Sequence, residues 1–219
     1  MERSSLLAIS VREDLMGKDT DLNFGPLGDG TVHLCVDMQR IFAEDTPWRT
    51  PWMQRVLPNV HEIVAVRPDR TIFTRFIPAE RPGQGQGTWK RYYERWADMT
   101  IERLGLEMVD LVPDLARFVP PAKILDKPAY SPWFGTSLHE RLGQHGIDTL
   151  IITGGETDVC VLATVLGAVD LGYRVLVVTD ALCSSSDETH DALMTVYHNR
   201  YGQQVEVVTT DIVLSAWTR

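Results

Sequence analysis

Thr149-Leu150-Ile151-Ile152-Thr153-Gly154-Gly155-Glu156-Thr157-Asp158-Val159-Cys160 is the stretch on which the fold turns. Its first five residues form a near-continuous apolar and β-branched run. That is the pattern of a strand buried on both faces, not the alternation of a half-exposed one. Two glycines interrupt it, and residues 158–171 then read as a helix, with Gly172 where a helix C-cap usually falls. A buried strand, a turn and a helix make half of a βαβ unit.

The same alternation recurs on both sides. Strands are predicted at 31–36, 71–74, 123–125, 174–179 and 205–208, and helices at 53–66, 137–145 and 188–201. Six buried strands separated by helices predict an α/β domain with a parallel sheet covered on both sides. No internal repeat or low-complexity linker divides the chain. Its 219 residues, 44% of them hydrophobic, suit one domain with a sizeable core. We place that domain at 31–219, after an irregular N-terminal extension at 1–30. Residues 81–87, Arg-Pro-Gly-Gln-Gly-Gln-Gly, read as a mobile loop. The aromatics that follow, Trp89, Tyr92, Tyr93 and Trp96, recur at roughly helical spacing and read as core or subunit packing ahead of a substrate box.

A formal charge of −9 argues against nucleic acid or an anionic membrane as partner, since both attract basic surfaces. It leaves room for a small anionic substrate in a locally cationic pocket. The apolar stretch near the N-terminus is too short for a signal sequence, and no run approaches membrane-spanning length. Cys35, Cys160 and Cys183 form no CxxC pair and leave one thiol over under any pairing, so reduced cysteines in the cytoplasm are the simpler expectation. The six histidines show no zinc-ligand spacing, and no metal or cofactor is expected.

In an open parallel sheet, ligands bind beyond the carboxyl ends of the strands. The polar residues that end strands here are Asp37, Arg75, Lys127 and the segment leading to Cys160. An acid, a base and a thiol thus converge on one edge. Cys160 lies near the start of a helix, where free N–H groups and positive potential favour thiolate and can receive an oxyanion. A nearby carboxylate takes the thiol proton and later returns it to a leaving amine, while a lysine holds that carboxylate ionised. Singly, each residue has an ordinary role: a buried small side chain, a turn former, a solvated lysine. His190, at a predicted helix start, reads as a capping or surface residue ahead of a site residue.

Three patterns together resemble the isochorismatase-like cysteine hydrolases: Asp37-Met38-Gln39 with Phe42, the run from Lys127-Pro128 through Trp133-Phe134-Gly135, and Gly154-Gly155-Glu156-Thr157-Asp158-Val159-Cys160. They occur in the family's order, after strands 1, 3 and 4, and the similarity spans about residues 31–217. The resemblance implies a three-layer α/β/α fold with six parallel strands in the order 3-2-1-4-5-6. It also implies a catalytic triad of Asp37, Lys127 and Cys160, a cis peptide joining Gly155 to Glu156, oxyanion donors at the backbone N–H groups of Glu156 and Cys160, and a homodimer or homotetramer. Phe42, Arg75, Tyr130, Trp133 and Phe134 become candidate substrate contacts. Arg75 reads equally as a salt-bridge residue.

Nicotinamidases of this superfamily add a metal site with an Asp-x-His pair after strand 2. Here residues 74–80 contain no histidine. The chain therefore sits closer to the N-carbamoylsarcosine amidohydrolase and ureide-type members. The implied activity is hydrolysis of a C–N bond in a small amide, carbamoyl or ureide compound through a thioester. Two alternatives stand beside it: vinyl-ether hydrolysis of an isochorismate-like compound, which does not need the cysteine, and a non-catalytic member that binds a metabolite or protein.

Overall fold

A computed structural model describes residues 22–217 of the chain. Along it run β1 (Thr31–Val36), α1 (Arg40–Ala43), α2 (Met53–Val66), β2 (Thr71–Phe76), α3 (Thr88–Arg95), α4 (Ile101–Leu104), α5 (Pro113–Ala116) and β3 (Lys123–Lys127). Then come α6 (Leu138–Gln144), β4 (Thr149–Gly155), α7 (Leu162–Asp170), β5 (Arg174–Cys183), α8 (Asp187–Arg200), β6 (Val205–Val208) and α9 (Thr210–Ala216). The six strands form one sheet in the order β3-β2-β1-β4-β5-β6, and every pairing is parallel. This is the three-layer α/β/α fold that the resemblance implies.

Strand periodicity sorts the core into two halves, because successive side chains point to opposite faces. Cys35, Phe73, Ile151, Leu176 and Val178 pack on one face with Val56, Val60, Ile63 and Val64 of α2 and with Val213 of α9. Leu34, Val36, Leu150, Ile152, Val175 and Val177 pack on the other with Leu138 and Leu142 of α6, Val165 and Ala168 of α7, and Tyr197 of α8. With both faces covered, the central strands carry apolar residues at consecutive positions. That is why they read as unbroken runs in the sequence.

The strands outrun their predicted ends. β2 continues to Phe76, β3 to Lys127 and β4 to Gly155, while β5 continues to Cys183 after a register irregularity between Ile152 and Gly154. Ladder pairing with neighbours carries polar and glycine residues that have little strand tendency of their own. The predicted helix at 158–171 is instead a wide π-type turn, Thr157–Val161, running into α7. Such turns inside helices occur frequently at functional sites. α9 had no clear signal: its seven residues, TDIVLSA, are too few to show a helical period.

Of the N-terminal extension, residues 1–21 lie outside the described residues. Asn23 donates its backbone N–H to Glu206 Oε1 (2.6 Å), and Arg174 pairs with Glu206 (2.7 Å) and donates to the Gly25 carbonyl (2.8 Å). Residues 22–30 are thus held against the β5–β6 edge.

Candidate active site

Three strand ends bring the chemistry together. β1 delivers Asp37, β3 ends on Lys127, and the turn after β4 carries Cys160. Their close approach needs Gly154. Its φ is +101°, and a Cβ there would collide with the Val36 carbonyl, so only glycine lets β4 run hard against the end of β1. Asp37 itself has φ +49°, the sole non-glycine residue with positive φ among the described residues. Aspartate tolerates this left-handed conformation better than most residues, and such outliers cluster at functional sites.

All three side chains are shut away from solvent: Asp37 and Lys127 are each 1% exposed and Cys160 5%. The Lys127 ammonium lies 2.7 Å from Asp37 Oδ2 and donates to the Ala129 carbonyl at 3.0 Å. Its contact with Oδ2 is off-axis, so that oxygen has no well-aligned hydrogen bond among the described residues. The other oxygen is clamped. Thr74 Oγ1 donates to Asp37 Oδ1 at 2.6 Å and accepts the Asp37 backbone N–H at 3.2 Å. Cys160 is within hydrogen-bonding reach of both Asp37 and Lys127.

Electrostatics place the resting proton on sulfur. Burial pushes the Cys160 thiol well above its usual pKa, the Asp37 charge adds to this, and Lys127 opposes it without prevailing. The expected lowering by a helix N-terminus is not met, because desolvation of a nearly enclosed sulfur outweighs it. Burial also acts against the charge on Lys127. The facing Asp37 and Cys160 more than compensate and hold its pKa above the ordinary lysine value.

Next to the thiol opens a cleft of about 400 Å³ walled chiefly by Phe42, Trp48, Phe76, Tyr92, Trp96 and Tyr130. Trp48 is its hub, stacked on Phe42 (6.3 Å between centroids) and packed on Tyr92 (5.9 Å) and Trp96 (6.1 Å). A larger hollow of about 640 Å³ lies by the Gly-rich turn; Lys127 is among its walls but Cys160 is not. Size alone does not mark the site.

The turn before Cys160 is fastened from behind. The Gly155–Glu156 peptide is cis, as the resemblance implies. Asp158 accepts from Ser184 Oγ (2.7 Å) and Thr189 Oγ1 (2.6 Å), and Glu156 Oε1 accepts the Ser185 N–H (3.1 Å). The Glu156 backbone N–H meets no acceptor among the described residues. His190 is neither a surface residue nor a partner of the thiol. It is buried against Trp52, with Nδ1 2.9 Å from Thr157 Oγ1.

Of the expected substrate contacts, Phe42 and Tyr130 line the thiol cleft and three do not. Arg75 sits directly across from Asp126 in the β2–β3 register and grips it with two hydrogen bonds (2.7 and 2.9 Å), adding a third to Asp110 (3.0 Å). It is one position along from Thr74, and the strand's alternation sends it away from Asp37. Trp133 stacks on Tyr173 (5.5 Å) and donates its indole N–H to the Thr164 carbonyl (2.9 Å). Phe134 is 68% exposed and borders the larger hollow. Conversely, Tyr92 and Trp96, read as packing, are cleft walls, and Trp48, Arg49 and Thr74 were missed. No motif marks them. Thr74 was discoverable only as a hydroxyl one strand over from Asp37.

Among the described residues, no group of three or more His, Cys, Asp or Glu is placed to hold a metal ion, and no helix is long and apolar enough to cross a membrane.

Comparison with known proteins agrees with this architecture. An Arabidopsis thaliana protein named "Probable inactive nicotinamidase" is 30% identical over 169 residues, covering 74% of this chain and 85% of that protein. A solved cysteine hydrolase from Pseudomonas syringae pv. phaseolicola superposes with a TM-score of 0.73 at 24% identity, over 88% of this chain and 97% of that one. The N-carbamoylsarcosine amidase of Thermoplasma acidophilum gives 0.66 at 22% identity, over 83% and 96%. The isochorismatase domain profile matches residues 31–211, and the chain belongs to the isochorismatase-like hydrolase family.

Proposed function

We propose that this protein hydrolyses a C–N bond in a small amide, carbamoyl or ureide compound, with Cys160 as nucleophile. The observation that carries the reading is the buried cluster of Cys160, Asp37 and Lys127, with Thr74 holding one carboxylate oxygen and leaving Oδ2 without an aligned partner. A thiol that keeps its proton at rest needs a base in contact with it, and Asp37 is that base. In the first step Asp37 takes the thiol proton as sulfur bonds to the substrate carbonyl carbon. The carbonyl oxygen becomes an oxyanion, received by the backbone N–H groups of Glu156 and Cys160. Collapse of this intermediate breaks the C–N bond, and the amine leaves with the proton from Asp37. Water, deprotonated by Asp37, then attacks the thioester; the acid departs and the proton returns to sulfur. Lys127, 2.7 Å from Oδ2, holds the Asp37 carboxylate in place and favours its charged form between these proton transfers.

Membership of the isochorismatase-like family, together with a fold shared with an N-carbamoylsarcosine amidase, supports C–N chemistry. The absence of a histidine at 74–80 sets this chain apart from metal-bearing nicotinamidases. We further infer a cytoplasmic homodimer or homotetramer, which light scattering of the purified protein tests. The decisive experiment is ammonia release across a panel of small amides, carbamoyl compounds and ureides, with mass spectrometry of the quenched reaction. An acyl adduct on Cys160, and loss of turnover by orders of magnitude in Cys160→Ser, are expected. An adduct on Cys35 or Cys183, or hydrolysis that persists in Cys160→Ala as for a vinyl ether, would overturn the proposal.

A further inference from the structure

Arg49 stands at the wall of the thiol cleft and is exposed to solvent. Among the described residues its guanidinium forms no ion pair; Arg40, Arg67, Arg75 and Arg174 have a carboxylate, and the remaining described arginines, like Arg49, have none. The position is not slack. Its backbone N–H bonds to the Thr46 carbonyl (3.0 Å), Thr46 Oγ1 bonds to the Ile41 carbonyl (2.7 Å), and Trp48 is locked among aromatic rings. A fixed turn therefore presents a free planar cation beside a largely aromatic wall. The acid on the same walls, Glu156, is turned to the Ser185 N–H. An adjoining hollow that shares Tyr92 and Tyr130 adds Arg91 and Arg95. In a chain of net charge −9, the walls of the two hollows together carry three arginines and one glutamate.

We propose that the substrate is an anionic amide, whose carboxylate is held by Arg49 while its apolar body lies against the aromatic wall and its carbamoyl carbon reaches Cys160. This rests on the hydrolytic reading and narrows it. A guanidinium matches a carboxylate with two parallel N–H bonds, which fixes orientation as well as charge. The apolar walls explain why one charged contact suffices, since orientation within a mostly apolar pocket falls to a few polar groups. The surrounding cations draw anions to an acidic protein, an effect that weakens with salt.

The test uses matched pairs on the full-length protein: 4-carbamoylbenzoate against benzamide, and succinamate against butyramide. The carboxylate-bearing member should be preferred by about tenfold or more in kcat/KM in at least one pair, less so at high salt. Arg49→Gln should bring the two members of that pair together, and Arg49→Lys should retain part of the preference. Binding of the same pairs to Cys160→Ala protein, followed by tryptophan fluorescence, reads the preference without turnover. Absence of hydrolysis with every amide, alongside an Arg49-dependent affinity for the anions, would remove the hydrolytic reading and keep the anion site. Equal kcat/KM and equal affinity within both pairs, or a preference that survives Arg49→Gln, would overturn the inference and leave hydrolysis standing.

Discussion

Replacing Thr74 with valine asks whether the carboxylate of Asp37 must be aimed as well as charged. The side chains are nearly isosteric, and Thr74 is fully buried, so the change deletes one hydroxyl and opens little space. What is lost is the 2.6 Å bond to Asp37 Oδ1. The Asp37 N–H keeps its other acceptor, the Thr74 carbonyl at 3.2 Å, so the backbone stays held. A hydrogen bond to a charged group contributes about 1.5–3 kcal/mol. If that is lost from the reacting geometry, kcat/KM falls by about 10- to 150-fold. Thr74 does not line the cleft, so the loss belongs in kcat, with KM nearly unchanged. Thr74→Ser restores the hydroxyl and should recover most of the activity, which a mere packing role would not require. Steady-state ammonia release with the best substrate of the panel measures this, with urea unfolding of each variant as a control for folding. A Thr74→Val enzyme within threefold of wild type, or a serine variant as impaired as the valine, would refute the positioning argument.

Lys127→Met leaves a carboxylate buried without its counter-charge, a change that costs about 3–5 kcal/mol when both partners are as enclosed as these. We expect kcat to collapse while ligand affinity changes little, and arginine at the position to rescue poorly because its planar fork differs in reach; near-normal turnover of the methionine variant in the same assay would sink the role. His33 tests the core. Burial lowers its pKa from 6.5 to about 3, so the folded state holds it neutral. The resulting stability is whole above pH 6.5 and drains away as pH falls toward about 3, with roughly 2 kcal/mol gone by pH 5. The difference in urea unfolding free energy between wild type and His33→Gln should therefore shrink by about that amount from pH 7 to pH 5; a flat difference contradicts it. Arg75→Gln breaks contacts with Asp126 and Asp110 outside the cleft and should change stability but not KM. A rise in KM would return Arg75 to the substrate.

The alternation of buried strands with helices, and the placement of Asp37, Lys127 and Cys160 at strand ends, were legible along the chain. Both are consequences of local order: a strand buried on two faces needs consecutive apolar residues, and the residue that ends it lies at the carboxyl edge of the sheet. The cis peptide at Gly155–Glu156 was expected only through the resemblance to the family, not from local order. The walls of the cleft were not legible, because they come from segments far apart in sequence that meet only in the folded chain. Trp48 follows β1, the helically spaced pair Tyr92 and Trp96 follows β2, and Tyr130 follows β3; no spacing relates these three segments. Which of two neighbouring residues serves the site was likewise a matter of pleat and pairing. Thr74 faces Asp37, whereas Arg75, one residue on, is captured by Asp126 across the sheet. The state of the thiol also awaited the tertiary structure, since helix position favours thiolate but enclosure by the surrounding chain reverses the balance. Local sequence determines which groups can react; only packing decides which of them meet, and in what dielectric.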